Sequence, residues 1–172
     1  MTKEVGFAGL YATHYRQVRG LCRQLLGSTE RAEDATQEAF VRAYRSFASY
    51  DRDQPFGGWI MSIARHHCLD VLRRRGTEAV LFGSETDEAA AVEASDLDGL
   101  GAVLTAERAH AVNAAVAQLP ERYRVPLALA YYADSSYDEI ATELGITRTH
   151  VGVLLCRGKQ LLRKALAEDT SP

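Results

Sequence analysis

The chain has 172 residues, 47% of them hydrophobic and 25% charged, with a formal net charge of −3; that is enough apolar material for one domain or two small ones with real cores. No run of about 18 apolar residues occurs, which excludes a membrane-spanning helix. The start "MTKEVGFAGLYATHYR" lacks the charged, apolar and small-residue order of a signal peptide. The near-neutral total conceals a partition. Residues 1–75 carry twelve Lys/Arg against eight Asp/Glu, residues 76–104 carry seven acids and no base, and residues 105–172 carry eight of each. A basic block, an acidic connector and a neutral block are a stronger sign of organisation than the total. Cys22, Cys68 and Cys156 are odd in number and far apart, as expected of reduced thiols in a cytoplasmic protein rather than of a disulfide framework.

Nearly every periodic stretch has helical spacing, and no run of alternating β-branched residues argues for a strand. The first predicted helix covers residues 6–26, with Phe7, Leu10, Tyr11, Tyr15, Val18, Leu21, Cys22 and Leu25 on its apolar side and Gly27 ending it. Ser28 or Thr29 caps the next, because a side-chain oxygen there accepts a free amide of the first turn. That second helix contains "AEDATQEAFVRAYRSF", residues 32–47. At 100° per residue, Ala32, Ala35, Ala39, Phe40, Ala43, Tyr44 and Phe47 share one arc, and Asp34, Gln37, Glu38, Val41, Arg42 and Arg45 the other. The polar arc is acidic at its start and basic at its end, an order that solvation alone does not require.

A loop marked by Asp, Pro and Gly, "ASYDRDQPFGG", leads to a third helix over residues 58–75. Here Trp59, Ile60, Ile63, Ala64, His67 and Val71 group together, opposite Ser62, Arg65, His66, Asp70 and Arg73. The adjacent His66 and His67 therefore face differently: His67 is expected in the core and His66 at a contact surface. His66, His67 and Cys68 cannot converge on one metal ion, since consecutive helical residues point about 100° apart, whereas helical metal pairs sit at i, i+3 or i+4. Residues 76–104 have the composition of a flexible acidic linker, with a short "AVLF" run able to dock.

Beyond the linker, "LTAERAHAVNAAVAQL" is helical and stops before Pro120; the next helix, "PERYRVPLALAYYA", is expected to bend or restart at Pro126. A short helix over 137–144, Gly145, and a longer helix over 148–167 make a helix-turn-helix pattern. In the longer helix Val151, Leu154, Leu155, Gly158, Leu161, Leu162 and Ala165 form the core arc. Thr149, His150, Gly152, Val153, Cys156, Arg157, Lys159, Gln160, Arg163 and Lys164 lie opposite, with Thr147 placed to cap the start. Small early side chains that reach base edges, followed by cations that neutralise phosphates, suit a major groove. No nucleophile and base pair up anywhere, so no catalytic chemistry and no cofactor are expected.

Three stretches, in this order and spacing, resemble a bacterial RNA polymerase sigma factor of group IV, the extracytoplasmic function (ECF) subfamily of the sigma-70 family: "AEDATQEAFVRAYRSF", "FGGWIMSIARHHCLDVLRRR" and "LPERYRVPLALAYYADSSYDEIATELGITRTHVGVLLCRGKQLLRKAL". The resemblance covers nearly the whole chain. It implies an all-α protein of two small helical domains: region 2 over residues 1–75, an acidic flexible linker over 76–104, and a region 4 helix-turn-helix over 105–172. It also implies a non-enzymatic, cytoplasmic initiation factor that binds core RNA polymerase at its β′ clamp helices and β flap, recognises promoter −10 and −35 elements, and assists melting. An anti-sigma factor is the implied regulator.

By the same resemblance Asp34, Gln37, Glu38, Val41 and Arg42 would meet polymerase. Phe47, Tyr50, Trp59, Ser62, Arg65, His66, Arg73 and Arg74 would read the −10 element. Thr147, Arg148, Thr149, His150, Val153, Arg157 and Lys159 would read the −35 element. One departure from the family's pattern is that Gly152 and Leu154 stand where basic residues are usual. The alternatives are a free-standing helix-turn-helix regulator, which leaves the polar arc of the second helix without a purpose, and a sigma mimic that sequesters regulators.

Overall fold

Seven α-helices and one 3₁₀ turn account for the regular structure of residues 3–76 and 106–169, the part that this computed structural model describes; among these residues there is no strand. The acidic linker and its "AVLF" run lie outside the described residues. The chain divides into two compact units, residues 1–75 and 76–172.

The first unit contains α1 (Lys3–Leu26), α2 (Thr29–Ser46), the 3₁₀ turn Phe47–Ser49 and α3 (Phe56–Arg75). Gly27, at φ 68°, stops α1 with its N–H on the Arg23 carbonyl at 2.9 Å, a left-handed position that glycine adopts without a Cβ penalty. Ser28 is the N-cap of α2, its Oγ accepting the Arg31 N–H. The alanine stripe Ala32, Ala35, Ala39 and Ala43 is almost fully buried. Small side chains at that spacing let α1 and α3, which both pack on α2, approach closely. Val18, Leu21, Cys22 and Leu25 of α1 and Ile60, Ala64 and Cys68 of α3 close the core with at most 1% exposure.

Thr36 is buried too, and its hydroxyl donates to the Ala32 carbonyl at 2.6 Å, which satisfies it within the helix. Cys22 and Cys68, distant in sequence, meet as free thiols. The hydrogen bond between them lowers the Cys22 pKa and raises that of Cys68. At one end of the bundle Phe7 meets Phe40, Tyr44, Phe47 and Phe56 edge-on, with ring centres 5.2–6.4 Å apart, the geometry aromatic quadrupoles favour.

Two expectations for this unit are corrected. The buried stripe of α3 is the i+4 row Phe56, Ile60, Ala64, Cys68 and Leu72, joined by Leu69, and it leaves His67, Trp59, Ile63 and Val71 half-buried at its margin. His67 is therefore not a core histidine. Its Nδ1 has no hydrogen-bond partner, and burial, with the nearby Arg42 charge, lowers its pKa.

The second unit contains α4 (Ala106–Gln118), α5 (Glu121–Tyr131), α6 (Tyr137–Leu144) and α7 (Arg148–Asp169). α5 runs through Pro126 without restarting. That proline is buried in the middle of the helix, and its packing outweighs the one amide hydrogen bond it cannot make. Ser136 and Glu139 form a reciprocal capping box at α6, with bonds of 3.2 and 2.7 Å. Gly145, at φ 65°, ends α6. Thr147 then caps α7 through the His150 N–H at 3.1 Å. α7 is the central helix of its unit, packed against α4, α5 and α6. Val151, Leu154, Leu155, Gly158 and Leu162 are buried as the periodicity implies, whereas Leu161 is 38% exposed.

Candidate functional site

Three groups of residues were singled out above, two in the first unit and one in the second. On α2, Asp34, Gln37 and Val41 are exposed, and Glu38 and Arg42 half-exposed. Glu38 Oε1 accepts from Arg42 Nε at 2.7 Å, one helical turn on. That hydrogen bond holds the Glu38 carboxyl below its ordinary pKa, so it is ionised at neutral pH. Beside this pair lies an open groove of about 390 Å³, lined by Phe7, Tyr11, Gln37, Phe40, Val41, Tyr44 and Arg45.

Tyr11, Val41 and Tyr44 are 38–42% exposed. Tyr11 and Tyr44 fall on the apolar arcs of α1 and α2, yet they flank Gln37 and Val41 rather than filling the core. The available signal was bulk: a tyrosine at the edge of an alanine stripe is too large for the gap the stripe leaves. A face with amide and carboxylate acceptors beside half-exposed aromatics suits a partner helix carrying arginines and apolar side chains.

The residues expected to read single-stranded DNA divide. Phe47 is buried, packed between Phe7 and Phe56 with centres 5.3 and 6.3 Å away. It is thereby corrected from a base platform to a support. Tyr50 stacks on it at 5.9 Å and 12°, and Trp59 lies 4.6 Å from Tyr50. Both are half-buried and keep ring surface available for stacking. The Tyr50 hydroxyl donates to the Gln54 carbonyl. Asp51 Oδ1 accepts the Asp53 N–H at 3.0 Å, so the loop between the 3₁₀ turn and α3 is held by its own bonds. Ser62 and Arg65 are half-buried and His66 is exposed, its Nδ1 3.4 Å from Ser62 Oγ. Arg73 and Arg74 are exposed at the end of α3, Arg73 paired with Asp70 at 3.3 Å.

In the second unit Arg148 and Thr149 project from the start of α7, Thr147 serves as its cap, and Arg157 is half-buried. Three expected contacts are corrected: His150, Val153 and Lys159 are 6–8% exposed. A helix packed on three sides buries more than one arc. Lys159 lays its ammonium 5.6 Å from the Tyr131 ring centre, a cation–π contact in place of an exposed charge. Gly152 has room: an added Cβ would meet only Tyr137, at 3.9 Å.

A further pocket of about 250 Å³ opens between α4, α5 and α7. It is lined by Ala109, Val112, Val116, Leu127, Tyr131 and Leu162, together with Asn113 and Tyr132. The Tyr132 hydroxyl donates to Asn113 Oδ1, and burial pushes its pKa up to about 12. This pocket was not anticipated, because half of its lining comes from α4, whose alanine-rich sequence marks no distinct apolar face. Among the described residues no group of three His, Cys, Asp or Glu gathers at a metal-binding distance, and no helix is long and apolar enough to cross a membrane.

Comparison with known proteins places each unit in a family. Residues 10–78 match the family model of Sigma-70 region 2, and residues 109–162 that of Sigma-70, region 4. The chain is 29% identical to the ECF RNA polymerase sigma factor SigW of Bacillus subtilis, over 94% of this chain and 89% of SigW. It is 31% identical to the ECF RNA polymerase sigma factor SigL of Mycobacterium tuberculosis, over 92% of this chain and 88% of SigL. Its fold resembles that of the sigma factor RpoE in the co-crystal structure with the anti-sigma factor NepR from Bartonella quintana. There the TM-score is 0.55 and the identity 18%, with 94% of this chain and 97% of that one covered. The chain belongs to the ECF RNA polymerase sigma factors, a branch of the sigma-70 family of transcription initiation factors.

Proposed function

We propose that this chain binds core RNA polymerase through α2, carries it to promoters with −10 and −35 elements, and helps to open the DNA there. The observation that carries the proposal is the row of exposed Asp34, Gln37 and Val41 and half-exposed Glu38 and Arg42 beside the Tyr11–Tyr44 groove, a face suited to docking on the helix that resembles the family's polymerase contact. The β′ clamp helices are its partner. The apolar pocket between α4, α5 and α7 is offered to the β flap.

In this reading residues 1–75 hold polymerase and the −10 element, residues 76–104 connect, and residues 105–172 hold the −35 element. Tyr50 and Trp59 stack unpaired bases of the −10 region, with Ser62, Arg65, His66, Arg73 and Arg74 supplying hydrogen bonds and charge. Arg148 and Thr149 take the −35 contacts, with Arg157 behind them. The protein works in the cytoplasm without catalysis or cofactor, and an anti-sigma factor silences it by covering the α2 face. Permanganate footprinting of polymerase reconstituted with this chain tests the proposal. Reactive thymines near position −10 of a transcribed promoter support it, and a fully protected duplex in a stable complex contradicts it.

The two adjacent histidines give a sharper expectation. His66→Ala changes −10 sequence preference with little effect on stability, because His66 is exposed. His67→Ala leaves preference unaltered and lowers stability by about 1 kcal/mol or less, as its half-buried site and unpartnered Nδ1 imply. Promoter profiling alongside thermal melts separates the two, and equal effects on preference would refute the facial assignment.

A further inference from the structure

Arg148 is the first residue of α7 and the only Lys or Arg between positions 148 and 155. Its Nη1 donates to Asp138 Oδ2, in the first turn of α6, at 3.0 Å, and both side chains stay largely exposed, at 67% and 72%. The guanidinium carbon lies 6.0 Å from the Tyr137 ring centre. That ring in turn reaches to 3.9 Å of the Cβ position at Gly152, on the next turn of α7. Arg148 is thus held by a carboxylate and an aromatic ring between the N-terminal turns of two helices.

Stability does not explain this arrangement. An ion pair this exposed adds little to folding, being screened by water and salt. Asp138 and Glu139 both lie in the first turn of α6, where the dipole favours an acid and Glu139 completes the capping box, and neither effect calls for Arg148 as a partner. What the pair does supply is orientation. A guanidinium is a planar fork, and tying one edge to Asp138 leaves the other edge directed for bidentate bonding to a base such as guanine. Untied, the same cation would turn to phosphate, where contact strengthens binding without reading sequence. The Asp138 carboxylate also repels phosphates that approach Arg148.

We infer that Asp138 is a specificity-determining positioning residue, which holds Arg148 for base recognition and withholds it from the DNA backbone. The inference rests on the reading of α7 as the duplex-contacting helix. Sequence preference is then set partly by a residue of α6 that need not touch a base.

The test uses the full chain and fluorescence anisotropy on two probes: a pool of short random-sequence duplexes, and the duplex most enriched from that pool by the wild-type chain. Asp138→Asn keeps the shape of the side chain and removes its charge. The expected result is tighter binding to the pool, with the slope of log affinity against log salt steeper by roughly 0.9, one extra phosphate contact. The ratio of enriched-duplex to pool affinity falls about tenfold, the discrimination of one bidentate contact. In an Arg148→Ala background, Asp138→Asn should leave that ratio unaltered. If Arg148→Ala weakens binding while Asp138→Asn moves neither slope nor ratio, the inference fails and the reading of α7 stands. An Arg148→Ala variant that binds like wild type would sink the reading of α7, and the inference with it. Should Asp138→Asn lower the ratio equally in both backgrounds, Asp138 acts as a bare charge and its positioning role is refuted.

Discussion

A chain carrying Gln37→Ala and Glu38→Ala binds core RNA polymerase at least about tenfold more weakly than wild type, a loss on the order of 1.4 kcal/mol or more. Gln37 stands at the rim of the Tyr11–Tyr44 groove, and the Glu38 carboxylate is ionised and oriented by Arg42 at 2.7 Å. Hydrogen bonds to charged partners contribute roughly 1.5–3 kcal/mol each when made in a protein interface. The fold should not suffer. Neither side chain is buried in the unit's core, alanine is the best helix former, and Arg42 is exposed enough to be solvated once its partner is gone. Circular dichroism and pull-down on core polymerase check the two halves of this expectation together. Intact helicity with unaltered affinity would remove α2 as the docking face.

The second large effect concerns Gly158, where α7 crosses α5. A Cβ there would lie 2.8 Å from Leu127 Cδ1, 3.3 Å from Leu127 Cγ and 3.4 Å from Tyr123 Cβ. Leu127 is 2% exposed, and its side chain must be pushed out of its packed position towards the pocket it lines between α4, α5 and α7. Gly158→Ala gains up to about 1 kcal/mol of helix propensity and loses about 1–3 kcal/mol to overpacking, so the net change is a modest destabilisation. Gly158→Leu adds three more carbons at the same contact and should leave the second unit unfolded at 37 °C. Hydrogen exchange followed by mass spectrometry would then show residues 106–169 unprotected and the helices of the first unit protected. Wild-type protection throughout would mean that α5 and α7 are not in the close contact described.

The elements legible in the sequence were those with local causes. Gly27 and Gly145 stop helices because the chain turns left-handed there, Ser28 and Thr147 cap because their oxygens reach a free amide, and the alanine row of α2 marks a close helix crossing. All of this is determined within a few residues. The surfaces were less legible because exposure depends on how many neighbours a helix has. For α2, with two packed neighbours along its alanine stripe, the wheel separated Asp34, Gln37 and Val41 from Ala35 and Ala39 correctly. The wheels of α1 and α2 failed for Tyr11 and Tyr44 respectively, whose size exceeds the space at the edge of the stripe. α7 has three packed neighbours, so the wheel's second arc contained His150 and Lys159, which are enclosed. Phe47 is buried where the wheel of α2 placed it, on the apolar arc and in helical geometry, within the Phe7 and Phe56 cluster; it was the family resemblance that put it among the base contacts. The groove on α2 and the pocket between α4, α5 and α7 are products of tertiary assembly. No single segment encodes either one.

Run-off transcription from a library of genomic promoter fragments tests the central claim most directly, with core polymerase and this chain as the only proteins. The account predicts transcripts that depend on the chain and share a common −10 and −35 pattern upstream of their starts. Those transcripts should be lost with the Gln37→Ala, Glu38→Ala variant. A chain that binds core polymerase but yields no transcript from any fragment would contradict the account.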